Sequence, residues 1–126
     1  MTSKSVLLSL VLLVASTAIA DAHHSYSAYD MAKKVAINGT VSEVQYANPH
    51  TWLFVDVPAS DGKPVTWAIE AGGPNILSRQ GWKANTLKPG DKVNALIHPF
   101  RDKIRKGGSL EALKIPGGRT IGIWQP

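Results

Sequence analysis

The chain has 126 residues, of which 44% are hydrophobic and 18% charged, and its formal net charge is +5. That length rules out a multidomain enzyme, and the composition argues against a disordered chain. Cysteine is absent, which excludes disulfides, thiolate metal sites and thiol nucleophiles. A single domain held together by packing alone is therefore expected.

Residues 1–22 are predicted to be a secretory signal peptide. Lys4 precedes an uncharged apolar run from Val6 to Ala20 that ends in small residues. The run is shorter than the roughly 20 apolar residues that a bilayer-spanning helix needs, and polar sequence follows it. Cleavage after Ala20 and cleavage after Ala22 both satisfy the small-x-small rule, and the second is slightly favoured. We therefore expect a periplasmic mature domain without a transmembrane segment.

From Lys33 onward, apolar residues alternate with period two in short runs separated by turn-forming residues, which predicts successive β-strands. A phase change beside Gly39 and Ser42 predicts a bulge in the first strand. A proline at the start and a glycine just past the end predict a short helix over 74–80. The predicted strands span 33–46, 50–57, 65–70, 92–97, 110–115 and 119–124.

Three meandering strands, a short helix and two further strands are the element order of an oligonucleotide/oligosaccharide-binding (OB) barrel. The predicted fold class is therefore all-β with one short helix, a five- to six-stranded OB-like barrel formed by residues 23–126. A small open β-sandwich is the alternative that the same strand spacing permits.

A set of short motifs extends along this predicted domain. They are His23-His24-Ser25, Tyr29-Asp30, Gly39-Thr40-Val41, Asn48-Pro49-His50, Trp67-Ala68-Ile69-Glu70, Gly72-Gly73-Pro74-Asn75, Gly81-Trp82 and Leu87-Lys88-Pro89-Gly90-Asp91-Lys92-Val93. With these motifs the chain resembles, from His23 to about Trp124, a family of small secreted bacterial proteins known only as a domain of unknown function. The resemblance implies an exported Gram-negative OB-like domain, and it supplies no substrate, reaction or catalytic residues.

Two adjacent histidines, His23 and His24, lie directly behind the predicted processing site. Cleavage after Ala20 would leave Asp21-Ala22-His23 as the mature start. Its free amine, two deprotonated amides and third-position imidazole then supply four nitrogens in one plane, a geometry that suits Cu(II) or Ni(II). The alternative is a polar terminus that happens to contain histidine and binds no metal.

Cleavage after Ala22 would instead make His23 the first residue, so that its amine and imidazole chelate a metal together. A further imidazole, from His50 or His98, would then complete a T-shaped copper site. His50 starts the second strand and His98 ends the fourth, where its phase predicts an outward side chain. The alternative for both is a structural histidine that hydrogen-bonds to neighbouring groups.

Two further groups of residues are candidates for binding a ligand on the barrel surface. Trp52 and Trp82 are predicted members of an aromatic stacking platform, whereas Trp67 is predicted to lie in the core. Basic residues crowd the loop between the fourth and fifth strands, where they could meet an anionic partner, and these candidates are Arg101, Lys103 and Arg105. Export makes nucleic acid an unexpected partner, and a solvated, mobile loop is the alternative.

No signature of hydrolytic or nucleophilic catalysis is found in the sequence, so an enzyme is not favoured. Glu70, which closes the third strand, is expected to cap or neutralise the start of the helix. The predicted function is a small periplasmic binding module that binds Cu(II) through its N-terminal histidines. The alternative is an envelope interaction protein that binds an anionic or aromatic-stackable ligand on the barrel face without a metal.

Overall fold

The computed structural model describes residues 26–126, in which six strands and one short helix are formed. The predicted all-β fold with one short helix is confirmed for this part of the chain. The elements are β1 (Val35–Gln45), β2 (Thr51–Pro58), β3 (Pro64–Ala71), α1 (Pro74–Arg79), β4 (Lys92–Pro99), β5 (Gly107–Lys114) and β6 (Thr120–Gly122).

The strands form a closed barrel. β1, β2 and β3 make an antiparallel meander, while β4 pairs antiparallel with both β1 and β5. A parallel pairing between β3 and β5 closes the ring, and β6 is an extra strand on β5. Because the sheet closes on itself, the structure is an OB-like barrel and not the open β-sandwich that was the alternative.

Two glycines make the closure possible. β5 begins at Gly107, three residues before the predicted start at Leu110, and Gly107 and Gly108 pair with Ala68 and Ile69 of β3. A Cβ atom on Gly107 would lie 1.9 Å from the carbonyl oxygen of Ala68, and the φ of Gly107 is +138°. The glycine pair therefore forms a close contact between strands, although it lies before the predicted start of this strand.

The bulge predicted in the first strand is confirmed. The register between β1 and β2 shifts between Val41 and Glu43, so that Ser42 has no partner residue on β2. Before the bulge, Ile37 and Val41 face the core, and after it Val44 packs against the core. The extra residue therefore lets one long strand turn its apolar side chains inward along its whole length.

The helix α1 packs against the barrel core through Leu77. Its N-cap residue is Gly73, which makes no side-chain cap, and Pro74 occupies the first turn. Glu70 does not cap the helix, because its carboxylate binds Tyr29 and His50 instead. Within residues 26–126, no helix has the length and apolarity needed to cross a membrane.

Candidate functional site

A cavity of about 300 Å³ lies beside the first described residues of the chain. Its wall includes the phenol rings of Tyr26 and Tyr29, the imidazole of His50 and the carboxylate of Glu70, with the apolar side chain of Ile76 nearby. We call it the Glu70 cavity. It brings one of the sequence-predicted site residues, His50, together with polar groups from two other parts of the chain, the first described segment and β3.

The β2–β3 hairpin positions His50 and Glu70. Trp52 lies directly opposite Glu70, so His50, two residues earlier, is the diagonal neighbour of Glu70 on the same face. The start of α1 packs tightly beside this pair, since a Cβ atom on Gly73 would lie 2.7 Å from the Pro49 carbonyl oxygen. The loop that carries His50 is therefore held between the hairpin and the helix.

The first described segment positions Tyr29. Tyr29 forms a β-bridge with Phe100, and their rings are 5.1 Å apart. Its side chain is 4% exposed, and its hydroxyl donates a hydrogen bond to Oε2 of Glu70. The N-terminal segment is thereby fixed to the barrel at the Glu70 cavity.

The contact between His50 and Glu70 decides which nitrogen of His50 is available. His50 Nδ1 lies 2.7 Å from Glu70 Oε1. An ionised carboxylate only accepts hydrogen bonds, so Nδ1 donates, and in the neutral ring Nε2 keeps its lone pair. Within residues 26–126, Nε2 has no hydrogen-bond partner, and the His50 side chain is 43% exposed. This is how a carboxylate orients an imidazole that binds a metal or accepts a proton.

Burial affects the acid of this group. The Glu70 side chain is 15% exposed, and its desolvation raises the pKa of the carboxyl group above the ordinary value for glutamate. The Tyr29 hydroxyl contacts one carboxylate oxygen and His50 Nδ1 contacts the other. Glu70 is therefore placed to orient the imidazole of His50.

The paired histidines His23 and His24 lie outside the described residues, which begin at Tyr26. Among the described residues, no group of three or more histidine, aspartate or glutamate side chains is arranged to hold a metal ion. A metal held at the Glu70 cavity would therefore need ligands beyond those that residues 26–126 supply.

The prediction that the His98 side chain faces outward into solvent is wrong, because the residue is only 5% exposed. Its Nδ1 lies 2.8 Å from the carbonyl oxygen of Lys33, and its Nε2 lies 3.1 Å from Glu111 Oε2. The chain before β1 covers this side of β4, which strand phase alone does not reveal. Both ring nitrogens are engaged, so the structural alternative fits His98 better than a role as metal ligand.

The tryptophans do not form the predicted platform as a set. Trp82 is 1% exposed and belongs to the core, so its ring is not available for stacking, and assigning it to a ligand face was wrong. The short segment after α1 turns it inward. Trp67 is partly buried and packs against the core. Trp52 is half-buried on the outer face beside Glu70, so it alone of the two predicted platform residues reaches the surface near the cavity.

The basic loop between β4 and β5 is ordered by its own contacts. Arg105 forms an ion pair with Asp102 at 2.6 Å and stacks over the Phe100 ring at 4.1 Å. Arg101 Nε donates a hydrogen bond to the carbonyl oxygen of Ser27. Lys103 is exposed and has no ion pair among residues 26–126. Of the three predicted binding residues, two arginines therefore have partners within the chain.

A larger cavity, of about 470 Å³, lies elsewhere against β1 and β4 and includes Asn94. Its two lysines already have partners. Lys92 donates a hydrogen bond to Thr40 Oγ1 at 2.7 Å, and Lys114 stacks on the Trp124 ring. Because it lacks an acid–imidazole pair, it is a weaker candidate for chemistry than the Glu70 cavity.

The sequence prediction missed the pairing of Glu70 with His50 and Tyr29. The hairpin register contains a signal for the first contact, because a turn around Asp61-Gly62 that places Trp52 opposite Glu70 also places His50 beside Glu70. Tyr29 is 41 residues away from Glu70 in the chain. Its contact depends on how the N-terminal segment crosses the barrel, which strand patterning does not specify.

Comparison with known proteins identifies a family whose function is unknown. A family model described as a family of unknown function, DUF6152, matches residues 10–109. No curated protein matches the chain. A solved structure titled as the ZRD-deleted mutant of TiaS in complex with agmatine is similar at 19% identity and a TM-score of 0.47, over 75% of this chain and 24% of that one. This chain thus spans about a quarter of that protein, and a likeness at this level carries no functional argument.

Proposed function

The chain belongs to DUF6152, a family of unknown function, and we propose that it is a small exported module that binds Cu(II) at the Glu70 cavity. In this proposal residues 1–22 are removed on export to the periplasm, and His23 becomes the first residue. The ligands are the α-amine and imidazole of His23 together with Nε2 of His50. His24 stands beside this set as a further nitrogen donor.

The observation that carries the proposal is the orientation of His50. Its Nδ1 binds Glu70 at 2.7 Å, and the Tyr29 hydroxyl binds the other carboxylate oxygen. A carboxylate that fixes one imidazole nitrogen and leaves the other free is the usual outer-shell partner of a metal-binding histidine. The same pairing raises the electron density of the ring and so favours its bond to a metal.

The short distance along the chain supports the proposed ligands from His23 and His24. Tyr26 contributes to the wall of the cavity that contains His50. His24 is two residues before Tyr26 and His23 is three residues before it. Extended chain spans at most about 3.6 Å per residue, so their Cα atoms lie within roughly 7 Å and 11 Å of the Cα of Tyr26. Both distances bring the two histidines within reach of the cavity.

The donor set suits Cu(II). Imidazole and amine nitrogens are ligands that copper prefers, and nitrogen ligands in one plane match its preferred geometry. After removal of residues 1–22, Met31 is the one remaining thioether and cysteine is absent. A thioether-rich site selective for Cu(I) is therefore not favoured.

The first experiment tests the free amine. The exported protein, with its start determined by intact mass, is titrated with Cu(II) by calorimetry beside a form that begins with an added Met and beside His23→Ala. We expect one Cu(II) per chain for the native start and at least tenfold weaker binding for the other two, because an extension removes the amine from the chelate ring. Binding should also weaken below about pH 6, where amine and imidazole retain their protons.

The second experiment tests the orientation of His50 with a matched pair of variants. Glu70→Gln removes the carboxylate that contacts His50. Glu111→Gln is the matched control, because it removes the carboxylate that contacts His98 in the second histidine–glutamate pair. Loss of an outer-shell partner typically weakens metal binding 10- to 100-fold. We expect that loss for Glu70→Gln and unchanged Cu(II) affinity for Glu111→Gln.

Equal Cu(II) affinity in the native-start, Met-extended and His23→Ala proteins would contradict the proposal. The alternative, a module that binds an anionic or aromatic-stackable envelope ligand without a metal, would then be the better account. Trp52 beside Glu70 is the surface where that alternative would be tested, by Trp52→Ala in a ligand screen that reads intrinsic fluorescence.

A further inference from the structure

The loop between β4 and β5 presents an apolar side chain at the centre of a basic cluster. Ile104 is 88% exposed, the most exposed large apolar side chain among residues 26–126. Basic residues precede and follow it, namely Arg101, Lys103, Arg105 and Lys106. We call residues 101–106 the basic loop. A single exposed apolar side chain is ordinary on a protein surface, so Ile104 is informative only through the basic residues that surround it.

The exposure of Ile104 is imposed by the structure of the loop. Asp102 Oδ1 accepts hydrogen bonds from the backbone N–H groups of Ile104 and Arg105, at 3.1 and 2.8 Å. The side chain of Arg105 is fixed between Asp102 and the ring of Phe100. These contacts form a short hook that directs Ile104 away from the barrel and prevents it from folding back.

Both ends of the hook are attached to the barrel. The N–H of Arg101 donates to the carbonyl oxygen of Ala28 at 2.9 Å, and the N–H of Ala68 donates to the carbonyl oxygen of Lys106 at 3.0 Å. The close packing of Gly107 against Ala68 fixes the second end. These contacts hold the loop in one conformation, so little conformational entropy is lost when the loop binds a partner.

The loop carries free positive charge. Its single acidic residue, Asp102, is occupied by Arg105. Lys103 and Lys106 are exposed and make no ion pair with any residue of the described chain. Two exposed ammonium groups thus flank the Ile104 side chain.

We propose that the basic loop is a membrane-surface contact that binds anionic phospholipid headgroups through Lys103 and Lys106 and inserts Ile104 among the acyl chains. Each basic residue near an anionic surface adds affinity, and an apolar side chain adds to it only where hydrocarbon is available. A polysaccharide would use the lysines but would gain nothing from Ile104, and an acidic protein would gain from Ile104 only if it also offered an apolar pocket. This function is independent of copper binding.

The test is co-sedimentation of the exported protein, with its start determined by intact mass, with vesicles of phosphatidylethanolamine and phosphatidylglycerol, beside vesicles of phosphatidylcholine alone. The variants are Ile104→Ser and the double variant Lys103→Gln, Lys106→Gln. We expect Ile104→Ser to reduce partitioning onto the anionic vesicles about fivefold and the double variant about 20-fold. Every variant is exported and processed in the same way, so differences between variants report the loop alone.

Matched controls are available for both changes. Ile123→Ser removes another exposed isoleucine, which is 68% exposed, and the double variant Lys63→Gln, Lys83→Gln removes two exposed lysines outside the loop. Both controls should retain the partitioning of the unaltered chain to within about twofold. Because every altered side chain is exposed, equal melting temperatures should accompany all the variants.

Either of two results would overturn the proposal. One is that Ile104→Ser partitions onto the anionic vesicles like the unaltered chain. Binding would then depend on the lysines alone, as expected for a soluble acidic polysaccharide. The other is that the two lysine double variants lose binding equally, which would show a general effect of net charge and no contribution from the loop.

Discussion

Replacement of Gly107 by alanine should open the barrel where β3 meets β5. The new Cβ would lie 1.9 Å from the Ala68 carbonyl oxygen, whereas real contacts of this kind essentially never fall below 3.0 Å. The strands must therefore separate by about 1 Å, which stretches a hydrogen bond of ordinary length beyond its useful range. Three residue pairs join β3 to β5. The loss of about 1 kcal/mol for the hydrogen bond of each pair, together with about 1–2 kcal/mol for an alanine at positive φ, should lower the free energy of unfolding by roughly 4–5 kcal/mol.

Urea unfolding followed by tryptophan fluorescence measures this loss, because the core contains the buried Trp82. Gly117→Ala is the matched control, since Gly117 also has a positive φ, +90°, but a Cβ there meets nothing within 4 Å. The control should cost only about 1–2 kcal/mol. A difference between the two variants below about 1 kcal/mol would refute the claim that the close contact at Gly107 closes the barrel.

Further predictions concern the core and the two carboxyl–imidazole pairs. Trp82→Ala should lower the free energy of unfolding by about 3–5 kcal/mol, and Trp67→Ala should lower it by less, because Trp67 is only partly buried. Parallel denaturant titrations compare the two variants. Equal losses would contradict the expected effect of the difference in burial. Burial raises the pKa of Glu70, so the folded chain holds a proton that the unfolded chain releases. The free energy of unfolding should therefore fall as pH rises from the ordinary glutamate range through the raised value, and Glu70→Gln should abolish that fall in stability measured against pH. The hydrogen bond from His98 lowers the pKa of Glu111, so its stabilising contribution should be present above the ordinary glutamate range and be lost as pH falls through the folded value. Glu111→Gln should reduce the loss of stability at acid pH. An unchanged loss would show that the His98–Glu111 pair does not contribute to the free energy of unfolding.

Patterning along the sequence predicted most of the barrel because local signals and burial agree there. Val93, Ala95 and Ile97 alternate, and all three face the core as expected. The bulge at Ser42 was readable because the apolar phase changes beside it. The start of β5 at Gly107-Gly108 was not predicted, since a glycine pair is typical of loops and its use at a close strand contact depends on a partner strand far along the chain.

The candidate site was less accessible to prediction for the same reason. His50 was identified because a histidine at a strand start is conspicuous, and hairpin register would also have placed it beside Glu70. The Tyr29 contact and the burial of His98 both depend on the path of the chain before β1. Trp82 lies in an irregular segment after α1, where no period indicates which way a side chain faces.

The most direct test of the proposed function is the electron paramagnetic resonance spectrum of the exported protein loaded with one equivalent of Cu(II), compared with that of His50→Gln. The account predicts a single species coordinated by nitrogen in the unaltered protein and a changed spectrum with fewer nitrogen ligands in the variant. Identical spectra from the two proteins would show that copper does not use His50, and they would contradict the assignment of the Glu70 cavity as the metal site.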